Sequence, residues 1–212
     1  MKKSGIFLLW VSLMFLAACH SGTGKAGKKE PVSKVKNKHP LVVMQTRFGK
    51  IVAELYPEKA PVTVANFEKY IKTGKYRKAM FYRAVTLKNQ PKKKVKIEVI
   101  QGGLFQDIKD MMPPIKLETT KQTGLHHLNG TLSMARNEPN SATSEFFICI
   151  GKQPSLDYGG KRNPDGQGFA AFGRVIRGMD VVKKIQQQPT DHQLLVPPVK
   201  IDTMYLVSNK SQ

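Results

Sequence analysis

The side chains able to do chemistry are few and scattered. His126 and His127 stand together, Cys149 lies in the apolar run 146–150, and Asp157 precedes the turn-forming Asn163-Pro164-Asp165-Gly166. A metal site needs recurrent ligand spacing; the histidine pair has none, nor a cysteine or carboxylate cluster near it in sequence, so no metal is expected. Cys149, flanked by Phe147, Ile148 and Ile150, reads as a buried core thiol rather than a nucleophile. Asp157 reads as structural. Arg83, taken alone, reads as a surface arginine in an ion pair, an arrangement worth little energetically. In 95–101, strand alternation puts Val99 and Gln101 on one face.

The chain is strongly basic, with Lys and Arg totalling 35, Asp and Glu 15, and a net charge of +20. Such a balance suggests nucleic acid or an anionic surface. The lysines are spread over 20–40, 88–96 and the remaining surface, without a nucleic-acid motif or stacking aromatics among them, so no nucleic-acid partner is expected. Anionic lipid headgroups or acidic envelope polymers fit the charge better, and Lys92-Lys93-Lys94 reads as a solvated loop.

The first residues read as a processing signal. Lys2 and Lys3 precede an apolar run, 6–18, that is shorter than the roughly 20 residues a spanning helix needs. Leu16-Ala17-Ala18-Cys19 resembles a bacterial lipobox. The resemblance implies a signal peptide over 1–18 and lipidation of Cys19, by which the chain would meet the membrane through more than one acyl chain. His20 is not the aspartate associated with inner-membrane retention, which favours the outer membrane, facing the periplasm, over the inner. With Cys19 acylated, Cys149 has no disulfide partner, and the domain must be held by its core. Residues 19–40 read as the lipidated cysteine and a Lys/Gly-rich tether, with a flexible-coil reach of roughly 25 Å. Residues 41–207 are one domain's worth of chain, and 208–212 form a polar tail.

Along the domain, 41–45 and 51–56 are β-rich runs joined through Arg47-Phe48-Gly49-Lys50, a hairpin signal. Thr63 is placed to cap a helix carrying Val64, Phe67, Tyr70 and Ile71 on one face and stopped by Gly74. Strand-like runs follow at 95–101, 130–135, 145–150, 169–175 and 199–207. Residues 179–187 carry Val181, Val182 and Ile185 at helical spacing, closed by Pro189. Many short strands with two helices predict an all-β domain: a closed barrel capped by two α-helices.

Six segments in order resemble the cyclophilin family: Ala60-Pro61-Val62-Thr63-Val64-Ala65-Asn66-Phe67, Phe81-Tyr82-Arg83, Gln101-Gly102-Gly103, Gly130-Thr131-Leu132-Ser133-Met134-Ala135, Ser144-Glu145-Phe146-Phe147-Ile148 and Phe172-Gly173-Arg174-Val175. They cover essentially all of 41–206, and Ala142-Thr143-Ser144-Glu145-Phe146-Phe147 is most similar to the bacterial envelope branch. The resemblance implies a closed eight-stranded antiparallel β-barrel, a monomer, and peptidyl-prolyl cis/trans isomerisation of Xaa-Pro segments in unfolded or folding envelope proteins. It implies Arg83 and Gln101 as catalytic residues, and Val99, Ala135, Phe147, Leu156 and Phe169 as substrate-binding residues.

No cofactor is implied, since the reaction only rotates a partial double bond against a barrier of roughly 20 kcal/mol. At the twisted state the proline nitrogen regains a lone pair, and an always-protonated guanidinium is suited to donate to it. Three positions depart from the family pattern: Glu98 where a pocket phenylalanine is common, Ser155 where tryptophan or phenylalanine is common, and Phe169 where histidine or tyrosine is common. Ser155 implies weak cyclosporin sensitivity. The segment from Arg83 to Gln101 is longer than usual, so 84–94 is expected to loop out beside the groove. The rival reading is a proline-peptide-binding chaperone or scaffold with little turnover, favoured by Glu98 and Ser155.

Overall fold

In the computed structural model, Thr46 pairs with Gly49, so the first hairpin turns through Arg47-Phe48 alone, between β1 (Leu41–Thr46) and β2 (Gly49–Leu55). Thr46 Oγ1 donates to the Gly49 carbonyl at 3.0 Å and accepts from Phe48 N–H at 3.2 Å, which closes the turn locally. Gly49 adopts φ +127°, a conformation costly for any residue with a Cβ. The structure describes residues 39–105 and 107–207. The expected signal, Cys19, the tether through residue 38 and the tail 208–212 lie outside the described residues.

The first long helix, α1 (Pro61–Lys72), begins three residues earlier than expected. Its N-cap, Ala60, offers no side-chain acceptor, and Thr63 does not serve as the cap. Pro61 opens the helix, where a missing N–H costs nothing. The free N–H groups of Val62 and Thr63 donate instead to Glu118, at 3.0 and 2.8 Å, and Thr63 Oγ1 donates to the same carboxylate at 2.6 Å. A carboxylate from a distant loop thus supplies the cap and complements the helix dipole. Gly74, at φ +73°, ends this segment as expected.

The remaining strands are β3 (Met80–Val85), β4 (Val99–Gly103), β5 (Thr131–Met134), β6 (Phe146–Cys149), β7 (Ala170–Arg177), β8 (Thr190–Asp191), β9 (Leu194–Lys200) and β10 (Thr203–Val207). They form one ten-stranded sheet, ordered β10-β1-β2-β7-β5-β6-β4-β3-β9-β8, with every pairing antiparallel. The expectation of a closed eight-stranded barrel is therefore corrected: the ladder is open and has ten strands. The run 199–207 is the reason. It is not one strand but the end of β9, paired to β3, and all of β10, paired to β1.

Between them Ile201 N–H donates to Ala79 and Asp202 N–H to Gln45, at 3.0 and 2.8 Å, so the chain itself crosses between ladders that do not pair. Pro197 and Pro198 also deny β9 two ladder donors. Among the described residues three α-helices accompany the sheet rather than two: α1, the single turn α2 (Thr120–Thr123) and α3 (Met179–Gln186). Among the described residues no helix is long and apolar enough to cross a membrane.

Strand alternation sorts the apolar residues into a main core and two smaller clusters, one of them Leu41, Val43 and Val52. The main core gathers Met44, Ile51, Phe67, Tyr70, Phe81, Ile100, Phe146, Ile148 and Phe172, with Phe67 as an aromatic hub 5.4 Å from Phe146 and 5.0 Å from Phe172. A smaller cluster of Val85, Ile97, Val99, Phe147, Cys149 and Leu156, with Ala135 and Phe169 against it, forms on the other face of the same strands. That second face carries the site.

Candidate active site

A β-bulge aims Arg83. Along β3 the pairing steps from Phe81–Gly102 directly to Arg83–Gln101, which leaves Tyr82 as an extra residue. Phe81 and Ala84 belong to the main core, while Tyr82 and Arg83 both line a cavity on the opposite face. Simple alternation would have turned Arg83 into the core; the inserted residue reverses its parity. On β4, Ile100 enters the core while Val99 and Gln101 face the cavity, and on β6 Phe146 and Ile148 enter the core while Phe147 faces the cavity.

The cavity measures about 890 Å³ and brings together all seven expected side chains: Arg83, Gln101, Val99, Ala135, Phe147, Leu156 and Phe169. Glu98 and Ser155 do not line it. Ile97, two residues before Val99, supplies an apolar wall on the side where Glu98 had stood out. Residues 95–98 are not part of a strand, so the expected strand over 95–101 is corrected to Val99–Gly103. Gly103 is required by the packing: at φ +146° its added Cβ would lie 2.6 Å from the Glu145 carboxylate.

Among the described residues Arg83 has no carboxylate partner, contrary to the ion-pair reading of the residue taken alone. Its Nη1 donates to Gln101 Oε1 at 2.9 Å, and its Nε and Nη2 both donate to Gln193 Oε1, at 3.0 and 2.6 Å. Gln101 is fixed in turn by donation from Nε2 to the Tyr82 hydroxyl at 2.6 Å, and Gln193 by donation to the Asn89 carbonyl at 3.1 Å. Burial lowers the Arg83 pKa from its ordinary value, with Tyr82 acting weakly the other way; a guanidinium stays protonated regardless. Two neutral amide oxygens therefore hold the cation from two sides without cancelling its charge. Gln193, in the turn between β8 and β9, is a site residue that sequence reasoning missed.

Beneath Phe147 lies a polar network that was also missed. His127, with a side-chain exposure of 0%, places Nδ1 2.6 Å from Asp157 Oδ1 and Nε2 2.9 Å from Ser133 Oγ. Its ring stacks on Phe147 at 5.9 Å and meets Phe169 edge-on at 6.5 Å. Burial lowers the His127 pKa, with the Asp157 hydrogen bond opposing. Burial would raise Asp157, but hydrogen bonds from His127 and His126 outweigh it and leave its pKa lowered. With Asp157 as the carboxylate acceptor Nδ1 is the donor, and in the neutral imidazole that burial favours Nε2 accepts from Ser133 Oγ. Ser133 is fully buried, so this Asp–His–Ser arrangement offers no nucleophile to a substrate and supports the pocket floor. Asp157 is structural as expected, and it is the carboxylate that sequence proximity did not reveal beside the histidines. Cys149 is buried, and burial pushes its thiol pKa well up, as befits a core thiol. Among the described residues no three His, Cys, Asp or Glu side chains gather as a metal-binding group.

The rim is tied by two arginines. Arg136, whose side chain is 1% exposed, makes a two-pronged bond to Asp165 at 2.7 and 2.9 Å, donates to the Gly168 carbonyl and covers the Phe169 ring at 5.4 Å. Arg162 Nη1 donates to Gln90 Oε1 at 3.0 Å and to the Val95 carbonyl at 2.6 Å. Gln90 is buried and also bonds Thr86 and Ile97, so the segment after β3 is a pinned loop; Ala84 and Val85 remain in the strand, which moves the expected start of the loop to Thr86.

The site is thus a pocket with an apolar, aromatic floor and a guanidinium and amide fixed at its wall, and the Ser133–His127 pair beneath it is buried. The model of the cyclophilin type peptidyl-prolyl cis-trans isomerase/CLD family matches residues 41–206. The chain is 37% identical over 175 residues to a peptidyl-prolyl cis-trans isomerase of Acinetobacter baylyi, covering 79% of this chain and 86% of that one. It is 37% identical over 154 residues to peptidyl-prolyl cis-trans isomerase B of Escherichia coli, covering 69% and 84%. A crystal structure of a cyclophilin type isomerase from Cryptosporidium parvum shares the fold, with TM-score 0.65, 22% identity, and coverage of 80% of this chain and 98% of that one. The chain belongs to the cyclophilin-type peptidyl-prolyl cis-trans isomerases.

Proposed function

We propose that this isomerase acts on Xaa-Pro segments of proteins in the bacterial cell envelope, with Arg83 as its catalytic residue. The observation that carries the mechanism is the way Arg83 is held. Of its five N–H groups three are engaged by Gln101 and Gln193, leaving one each on Nη1 and Nη2 to donate into the cavity. Phe147, Leu156, Val99, Ala135 and Phe169 provide apolar surface for the proline ring, and Gln101 is placed to bond backbone beside it.

As the prolyl amide twists, its nitrogen loses conjugation and gains a lone pair, which an N–H of Arg83 meets. Neither planar ground state offers that acceptor, so the bond favours the transition state selectively. If the charge-assisted bond differs between the states by about 3 kcal/mol, it contributes about a hundredfold in rate. A proline dipeptide, Ala-Pro, is named in a second crystal structure of the Cryptosporidium parvum isomerase, at TM-score 0.64, and accords with a proline-peptide substrate.

The envelope assignment rests on Leu16-Ala17-Ala18-Cys19 and the basic segment after it. In this proposal Cys19 carries the lipid, and the domain works at the periplasmic face of the outer membrane in preference to the inner. Mass spectrometry of the mature N-terminus with membrane fractionation is the test. A lipidated N-terminal Cys19 in the outer-membrane fraction is expected; an unmodified N-terminus elsewhere than Cys19 would overturn the anchor.

A further inference from the structure

The cavity is strongly unbalanced in charge. Arg83, Lys93, Lys94, Arg136, Lys161 and Arg162 line it, against Glu145 alone. Among the described residues, Arg136 alone of these cations is paired, with Asp165. Among the described residues Lys93, Lys94, Lys161 and Arg162 make no ion pair, and the acceptors holding Arg83 and Arg162 are neutral amide and carbonyl oxygens. Glu145 is held on the wall by neutral donors, its Oε1 accepting from Leu104 N–H, Phe105 N–H and Ser144 Oγ and its Oε2 buried without a partner among the described residues, so it sets one negative charge against the unpaired cations. The unpaired cations are not a stray surface run. The loop bearing Lys93 and Lys94 is pinned through Gln90 to Thr86, Ile97 and Arg162, so it is held at the rim.

We infer that the Lys93, Lys94, Lys161 and Arg162 rim selects prolyl segments that carry an aspartate or glutamate near the proline. The inference rests on the cavity being the isomerase site and adds the substrate class. A bound carboxylate meets cations that have no competing internal partner, whereas a basic segment meets like charge and loses affinity. Arg162 feels the same imbalance: burial lowers its pKa, and the charge of Arg83 lowers it further.

The test compares kcat/KM of the full chain on matched proline peptides bearing Glu, Gln or Lys two residues before, or one or two residues after, the proline. Each is corrected for its own uncatalysed rate. At about 10 mM salt, Glu is expected to exceed Gln roughly three- to tenfold on at least one flank, with Lys below Gln. The contrast should collapse at about 1 M salt, where screening acts within ~3 Å. In the Lys93→Ala/Lys94→Ala/Lys161→Ala protein the Glu-to-Gln ratio should fall towards one. The salt series on the unaltered chain provides a reading that does not depend on the variant folding. Turnover with equal values for Glu, Gln and Lys at low salt overturns the inference and leaves the catalytic reading standing. Absence of turnover on every peptide removes the catalytic reading and this inference with it.

Discussion

Arg83 shows how little a residue type says without its neighbours. Its catalytic role was inferred from family resemblance, yet the partner that holds two of its nitrogens, Gln193, lies 110 residues away in sequence and carried no motif. Shorter separations hid Asp157, 30 residues from His127, and Asp165, 29 residues from Arg136: side chains that meet only through the fold leave no local pattern. Gln193 is a positioning residue for Arg83. Gln193→Ala should lower kcat about tenfold, the scale of one charge-assisted hydrogen bond, while KM changes less than twofold, because the pocket walls remain. Gln193→Asn should recover less than the wild-type rate but more than Gln193→Ala if the carbonyl reaches Arg83. A rise in KM with kcat unchanged would assign Gln193 to substrate binding instead.

At the scale of elements, the apolar alternation of the strands was largely legible and the exceptions have causes. No strand was read over Met80–Val85, which entered only as the Phe81-Tyr82-Arg83 segment of the resemblance, since the bulge at Tyr82 breaks the period-two pattern by which a strand is read. Residues 95–98 show the pattern but do not pair, their groups being bonded to Gln90, Arg162 and the 150 region instead. For α1 the cap was sought next to the helix, where Thr63 offered itself, and was found on Glu118. Glu118→Ala should therefore destabilise the fold by about 1–2 kcal/mol in urea unfolding, as loss of an N-terminal cap does, with Glu118→Gln costing less. A Glu118→Ala protein as stable as wild type, with Thr63→Ala the more damaging change, would restore the local cap.

At the scale of the molecule, sheet closure was not legible, because no local pattern says whether the first and last ladders meet. The open order follows from the crossing at Ile201–Asp202. The buried His127–Asp157 pair gives the whole fold a pH dependence. His127 has a folded pKa below its unfolded value of about 6.5. The unfolded chain therefore binds the extra proton first, and stability falls as pH drops below about 6.5, by at most about 1.4 kcal/mol per pH unit. His126 and Asp157 are the titratable groups facing it; Asp157, with its pKa lowered, withdraws its own contribution only below about pH 4. Unfolding free energies at pH 7 and 5 should differ more for the wild type than for His127→Gln, and equal slopes would show that His127 does not titrate on unfolding.

In the proposed mechanism the Arg83 guanidinium bonds the prolyl nitrogen only when the amide is twisted. Exchange NMR on a short Xaa-Pro peptide, which yields both the bound-state isomerisation rate and the affinity, tests this most directly in wild type and Arg83→Ala. The account predicts a fall of about a hundredfold in the bound-state rate with affinity retained within a few fold. Equal bound-state rates in the two proteins would contradict it.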